Sequence, residues 1–459
     1  MGDALNVWMN GQLVGVWSQT RSKTAVLKYD PHWLASPKSR ALSLSLPITA
    51  GAAALRGDKV QNYFDNLLPD SDAIRNRIRV RYGVHTSGAF ELLTAIGRDC
   101  VGAVQLLPKD QDPIGWDKIQ SEPLSESQVA KILRAAYSDA PLGQRTEAYN
   151  DFRISIAGAQ EKTALLRYGG KWHRPLGATP TTHILKLPLG LIANRADMRD
   201  SVENEWVCSK ILDALKFHVA PTKMATFEGQ KVLVVERFDR RWQGVGKTEV
   251  NRRGFKPPPD AWIARVPQED FCQVAGLPPS KKYESDGGPG MSKCLEYLAG
   301  SKNATQDLAH FVLTQLAFWM LAAIDGHAKN FSIALLAGGQ YCLTPLYDVL
   351  SGWPVIGHGA NMIAMQDAKL AMALRSKGAH YKLVDIRVRH WQQLAQSSGV
   401  EGMWDRMVDL VGRMEGALDA AEVQLPTDYP PMVWNKIRKG TMSQVGKFQR
   451  ECMAVQPKK

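Results

Sequence analysis

An apolar run over residues 311–324 ends abruptly at Asp325-Gly326-His327-Ala328-Lys329-Asn330, and this junction constrains the fold more than any other stretch of the chain. The run is shorter than the roughly 18 residues a membrane span needs, and Thr314 and Gln315 interrupt it, so it predicts a buried helix. Beyond it the pattern predicts a strand over 331–336, a turn at Gly338-Gly339, a second strand over 341–346, and then Tyr347-Asp348. A hairpin returns the chain to its starting end, which brings Asn330 and Asp348 towards one metal ion. Phosphoryl transfer needs this set: an Asp to orient or deprotonate the acceptor hydroxyl, and an amide and a second carboxylate to hold Mg²⁺ against the phosphates of ATP. Asp325 is then the base, and Asn330 and Asp348 are the metal ligands. Taken singly, Asp325 caps a helix and Asp348 ends a strand; the ordered set is what points to chemistry. His327 either reaches a phosphate or packs beneath the loop.

The 459 residues carry a net charge of +12 and are 44% hydrophobic, with 38 Gly and 25 Pro. That balance excludes collagen-like, low-complexity and wholly disordered chains, and at roughly 150 residues per domain it predicts two or three core-forming units. The basic excess favours contact with phosphates. The six cysteines, Cys100, Cys208, Cys272, Cys294, Cys342 and Cys452, are scattered without a CxxC pair, which argues against a zinc site or a disulfide framework. With no secretory pattern at the N-terminus, these features predict a cytoplasmic protein with no membrane contact. A hairpin is predicted at residues 6–17 around Asn10-Gly11, helices over 60–68 and 73–82, a polar connector over 109–122 and a helix over 125–137. Short strands follow over 152–156, 163–168, 171–174, 183–187 and 232–235, a sheet carrying one helix over 201–215. Past Pro257-Pro258-Pro259 the pattern is mainly helical, clearest over 308–324 and 402–421, and the basic tail from Asn435 reads as partly disordered.

Three further segments suit a nucleotide site. Small residues in Ser155-Ile156-Ala157-Gly158-Ala159-Gln160-Glu161-Lys162 let backbone N–H groups approach a phosphate, though an ordinary hairpin turn would look similar. Lys186 lies amid apolar strand residues and needs an anionic partner, with Glu205, or else Glu203, the helix carboxylate to pair with it. The strand over 232–235 runs into Glu236-Arg237-Phe238-Asp239-Arg240-Arg241, which reads either as a hinge for an adenine edge or as a strand end with a solvated charge run.

In this order the segments closely resemble the HipA family, serine/threonine kinases that form the toxin half of a bacterial type II toxin–antitoxin pair. The resemblance rests on Phe64-Asp65-Asn66-Leu67-Leu68-Pro69-Asp70, on 151–166, 235–242, 267–273 and 282–290, and on 325–332. It implies an α+β, two-lobed protein-kinase-like fold with a sheet-rich N-terminal lobe, a mainly helical C-terminal lobe, and ATP in the cleft. The divisions are a subdomain at 1–108, a connector and helix at 109–150, a nucleotide-binding sheet at 151–256 and a helical lobe with the catalytic loop at 257–459. By matching motif, Asp325 is the catalytic base, Asn330 and Asp348 bind Mg²⁺, and Ala157, Gly158, Ala159, Gln160, Glu161 and Lys162 form the phosphate loop. Lys186 contacts phosphates, Glu236, Arg237 and Phe238 line the adenine site, and His327, Ala328, Lys329 and Tyr347 complete the nucleotide-binding positions. Ser155 matches a serine that the family autophosphorylates, which ejects the phosphate loop and switches the kinase off. The family's toxin phosphorylates glutamyl-tRNA synthetase, arresting translation and promoting persistence. It is neutralised by HipB, a helix-turn-helix antitoxin, and the pair represses its own operon at operator DNA. A small-molecule kinase, or a kinase-dead corepressor, are the alternatives.

Overall fold

The computed structural model describes residues 4–49, 51, 53–137, 155–158, 160–192 and 196–455. The chain forms two compact units that are not consecutive in sequence: Met1–Leu187, Ala225–Ser280 and Ser332–Gln340 make the first, and Pro188–Met224, Lys281–Phe331 and Tyr341–Lys459 the second. Pro257-Pro258-Pro259 therefore runs inside the first unit.

The first unit opens with a five-stranded antiparallel sheet in the order Leu55–Arg56, Ala25–Tyr29, Gln12–Gln19, Ala4–Met9, Val104–Pro108. Alternation along Ala4–Met9 buries Leu5, Val7 and Met9 on one face. Helices Asp58–Asp65 and Ala89–Ile96 cover that face, and Trp17 stacks on Phe64 with ring centroids 3.9 Å apart and meets Phe90 edge-on at 4.9 Å. The second sheet of this unit runs in the order Thr222–Phe227, Gln230–Glu236, His183–Lys186, Lys162–Tyr168, Lys171–Pro175, Ser121–Leu124. Helix Glu126–Tyr137 packs Val129, Ala130, Ile132 and Leu133 against Leu165, Leu185, Val232 and Val234 of this sheet.

Two expectations change here. The helix carried by the second sheet is Glu126–Tyr137; helix Ser201–Ala214 belongs to the second unit, where it packs against helix Met403–Glu422. The reason is its burial on nearly every side, from Ser201 to Ser209, which no single sheet face supplies. Ser155 and Ile156 are not in a strand, and residues 151–154 of the expected strand lie outside the described residues.

The second unit is built around helix Ala304–Leu321, most of whose residues are buried. Phe331 packs on Phe311 and Phe318 of that helix at 5.0 and 5.8 Å, so the loop that follows the helix is fixed at its far end too. The basic tail is ordered as helix Pro431–Val455, because Val433, Trp434, Ile437, Val445 and Phe448 recur at helical spacing and are buried. Charge on the opposite face had masked that stripe. Among the described residues, no helix is long and apolar enough to cross a membrane.

Charged groups buried in the first unit carry the tightest polar packing. Arg237, Arg240 and Arg265 surround Asp99 and Asp239, all of them buried. Arg237 grips Asp239 through Nε and Nη2 at 2.9 and 2.7 Å, and Arg240 reaches Asp99 at 2.9 Å while also donating to the Gly102 and Cys100 carbonyls at 2.8 Å each. Thr181 gives Asp99 its N–H and its hydroxyl at 3.1 and 2.7 Å. Burial pushes the Asp99 carboxyl up, but Arg240, Arg237 and Arg265 outweigh it and hold it well below the usual carboxylate range. Asp99→Asn leaves three guanidinium groups on one carboxylate, and urea unfolding at pH 7 is expected to show a loss of about 3–5 kcal/mol.

Glu269, 1% exposed, accepts the Leu44 N–H at 2.8 Å, and burial pushes its carboxyl up to about 8. The unfolded chain ionises this group near pH 4.5, whereas the folded chain holds it neutral. Its contribution to stability is therefore complete below about pH 4.5 and is lost as pH rises through about 8. Unfolding free energies measured across that window are expected to decline for the native chain and to flatten for Glu269→Gln.

Candidate active site

Helix Ala304–Leu321 stops at Ala322, whose backbone is left-handed at φ +49°, and the chain turns into the 325–330 loop. The Asp325 carbonyl accepts the His327 N–H at 2.8 Å and the Asn330 Nδ2 at 2.9 Å. Using the amide nitrogen this way leaves the Asn330 carboxamide oxygen for other work, and oxygen is the donor that Mg²⁺ takes. The Asp325 carboxylate accepts a hydrogen bond from the Tyr283 hydroxyl. His327 is 4% exposed, with its ring edge-on to Tyr283 at 5.0 Å, which is packing beneath the loop. Ala328 gives its N–H to the Lys282 carbonyl at 3.1 Å, and the Lys329 carbonyl accepts the Tyr347 hydroxyl at 2.9 Å. These three residues and Tyr347 thus brace the loop through groups expected to meet nucleotide. The Tyr347 bond also ties Asp348 to the loop through its neighbour. Asp348 has φ +62°, a left-handed conformation that a non-glycine residue holds only where its surroundings impose it. The second unit therefore gathers Asp325, Asn330 and the Tyr347-Asp348 pair around one short loop.

In the first unit, Lys162 and Lys186 are direct partners across the antiparallel strands Lys162–Tyr168 and His183–Lys186. Directly opposed residues project on the same face, so both lysines arise from one side of the sheet. Lys186 is 6% exposed. Lys162 Nζ donates to the Ala157 carbonyl at 2.5 Å, folding the loop over itself, and Gly158 reaches φ +111°, a conformation glycine alone adopts readily. The Gly158 carbonyl accepts the Asp70 N–H at 3.1 Å, Gln160 donates to the Leu187 carbonyl at 2.5 Å, and Glu161 pairs with Arg77. Ala159 lies outside the described residues.

Ser155 is fully buried. Its hydroxyl donates to the Leu67 carbonyl at 2.7 Å and its N–H to the Asp99 carbonyl at 3.2 Å. The Arg237 guanidinium is spent on Asp99 and Asp239 and its N–H on the Thr182 carbonyl at 2.9 Å, so its side chain serves the buried ion cluster. The run 236–241 is accordingly not a solvated charge run: Arg237, Asp239 and Arg240 are buried. Glu236 pairs with Lys247 at 2.6 Å, at the mouth of the strand Gln230–Glu236. Tyr283, Asp99 and Arg77 were missed in the sequence. For Tyr283 the available signal was the glycine-dense Lys-Tyr-Glu-Ser-Asp-Gly-Gly-Pro-Gly that contains it; Asp99 carried none, since nothing local marks its partners 138 to 166 positions away.

The HipA N-terminal domain matches residues 5–107 and the HipA-like C-terminal domain matches residues 154–421. The chain belongs to the HipA family. It is 32% identical over 400 residues to the putative kinase Y4mE of Sinorhizobium fredii, covering 86% of each chain. It is 27% identical over 325 residues to the serine/threonine-protein kinase toxin HipA of Shewanella oneidensis, covering 68% of this chain and 66% of that one. The solved complex of Shewanella oneidensis HipA with HipB and operator DNA superposes with a TM-score of 0.77 at 21% identity, over 99% of this chain and 100% of that one. That likeness establishes the two-lobed α+β kinase-like fold, and membership of the family makes the chain a kinase.

Ser155→Ala removes the donor to a buried carbonyl, and leaving such an acceptor unpaired costs about 1–3 kcal/mol. Urea denaturation of the two proteins is expected to differ by that amount.

Proposed function

We propose that this chain is the toxin of a toxin–antitoxin pair, acting as a Mg²⁺- and ATP-dependent serine/threonine protein kinase. What supports the reading is the cross-strand pair Lys162 and Lys186 beside Gly158: two lysines arising from one side of a sheet next to a glycine turn suit the binding of phosphate groups. Asp325, carboxylate forward from a loop braced on every side, orients a serine or threonine hydroxyl. It takes the proton as that oxygen attacks the γ-phosphorus and the bond to ADP breaks. Asn330 and Asp348 would hold Mg²⁺ through oxygen, and the ion when bound offsets charge on the phosphates. Glu236 and Phe238 remain the candidates for the adenine edge.

The acceptor we favour is glutamyl-tRNA synthetase, with Ser155 the acceptor in cis. A buried Ser155 hydroxyl supports a switch, because a phosphate cannot be accommodated where that side chain now sits. The Shewanella relative is named a kinase toxin and its solved complex contains HipB and operator DNA. We extend to this chain a HipB-like helix-turn-helix antitoxin and repression at operator DNA, for which the net charge of +12 is favourable.

Asp325→Asn and Asp348→Asn are each expected to lower label transfer from γ-labelled ATP to glutamyl-tRNA synthetase at least a hundredfold without changing the melting temperature. Wild-type turnover in either would remove the assignment. Label appearing on a small molecule instead would make this a small-molecule kinase, and growth arrest that survives Asp325→Asn would favour a corepressor without catalysis. Phosphopeptide maps of the active enzyme after long incubation with ATP should contain phosphorylated Ser155.

A further inference from the structure

Residues 282–290 supply no reacting group to the proposed chemistry, yet three of their contacts end on the 325–330 loop. The Lys282 carbonyl accepts the Ala328 N–H at 3.1 Å, the Tyr283 ring stands edge-on to His327 at 5.0 Å, and the Tyr283 hydroxyl donates to Asp325 Oδ1. The segment is itself rigidly held. The Tyr283 carbonyl accepts the Asp286 and Gly288 N–H groups at 3.0 and 2.9 Å, closing a tight turn on the tyrosine's own backbone. A Cβ at Gly288 would lie 2.2 Å from the Lys281 carbonyl oxygen, so glycine is required for that closure. Glu284, with a side chain 5% exposed, accepts the Ala373 N–H at 2.7 Å and pairs with Arg375, which fixes the turn to strand Lys369–Arg375.

The consequence concerns the two oxygens of Asp325. The torsion that rotates a carboxylate has a broad, two-fold profile, so an unheld carboxylate samples many orientations. A donor on a fixed turn selects one of them. We infer that Tyr283 is a positioning residue for phosphoryl transfer: its hydroxyl holds Oδ1 of Asp325 so that Oδ2 meets the acceptor hydroxyl. The inference rests on the reading of Asp325 as the base. Misplacing a reacting group by about 1 Å costs about a hundredfold in rate, and losing one such hydrogen bond to a charged group costs tenfold to a hundredfold.

The test uses the full chain, γ-labelled ATP and glutamyl-tRNA synthetase. Tyr283→Phe is expected to lower kcat by about tenfold to a hundredfold with the KM for ATP within about twofold of wild type. Replacing Tyr283 with 3-fluorotyrosine, which keeps the donor, is expected to restore kcat. Wild-type kcat in Y283F, a change confined to KM, or a loss that 3-fluorotyrosine leaves uncorrected would each overturn the inference. A second reading is independent of turnover and of whether Y283F folds: the ¹⁹F resonance of 3-fluorotyrosine at 283 should move when Asp325→Asn is introduced. An unmoved resonance overturns the hydrogen bond as the means of positioning. If Asp325→Asn alone retains wild-type turnover, the base assignment has failed and the positioning role falls with it; if Asp325→Asn is inactive and Y283F is not impaired, only the role of Tyr283 fails.

Discussion

Two carboxylates and three guanidinium groups are buried together in the first unit, and the segments that carry them flank strands of both of its larger sheets. Asp99 comes from the loop before strand Val104–Pro108, Arg237, Asp239 and Arg240 follow strand Gln230–Glu236, and Arg265 closes strand Trp262–Arg265. Charges out of water are costly unless paired, and three guanidinium groups sharing two carboxylates leave these five side chains little freedom to exchange partners. The same Asp99 uses its carbonyl to hold the Ser155 N–H. The N-terminal sheet, the second sheet and the segment at Ser155 are thereby referenced to one electrostatic point.

The second unit solves its positioning problem with neutral groups. Main-chain carbonyls of Asp325, Lys329 and Lys282 receive Asn330, Tyr347 and the Ala328 N–H. Hydrogen bonds to backbone acceptors constrain a loop without adding charge to it. Tyr347 and the Asn330 amide nitrogen brace the loop, while Tyr283 holds the Asp325 carboxylate.

How much was legible beforehand follows from the range of each interaction. The Asn10-Gly11 turn, the strands Lys171–Pro175 and His183–Lys186 and the helix Ala304–Leu321 are local patterns, and the structure has them within a few residues of their expected limits. Asp325, Asn330 and Asp348 were visible because a helix, a loop and two strands order them along a short stretch. Arg237 gave no local sign of its burial, because a charged residue beside a strand end looks solvated unless its partner is known, and Asp99 is 138 positions away. Helix Pro431–Val455 was obscured for a different reason: Lys436, Arg438 and Lys439 cluster near its start and draw attention from the apolar residues spaced along it. The cross-strand pairing of Lys162 with Lys186 required strand register, which no single segment contains.

The charge cluster around Asp99 has a bearing on how the first unit tolerates change. Its five side chains come from three separate stretches of sequence, so replacing one of them strands buried counter-charges contributed by the others. Single replacements there are disfavoured, whereas a concerted exchange of the whole set for apolar residues is tolerated better.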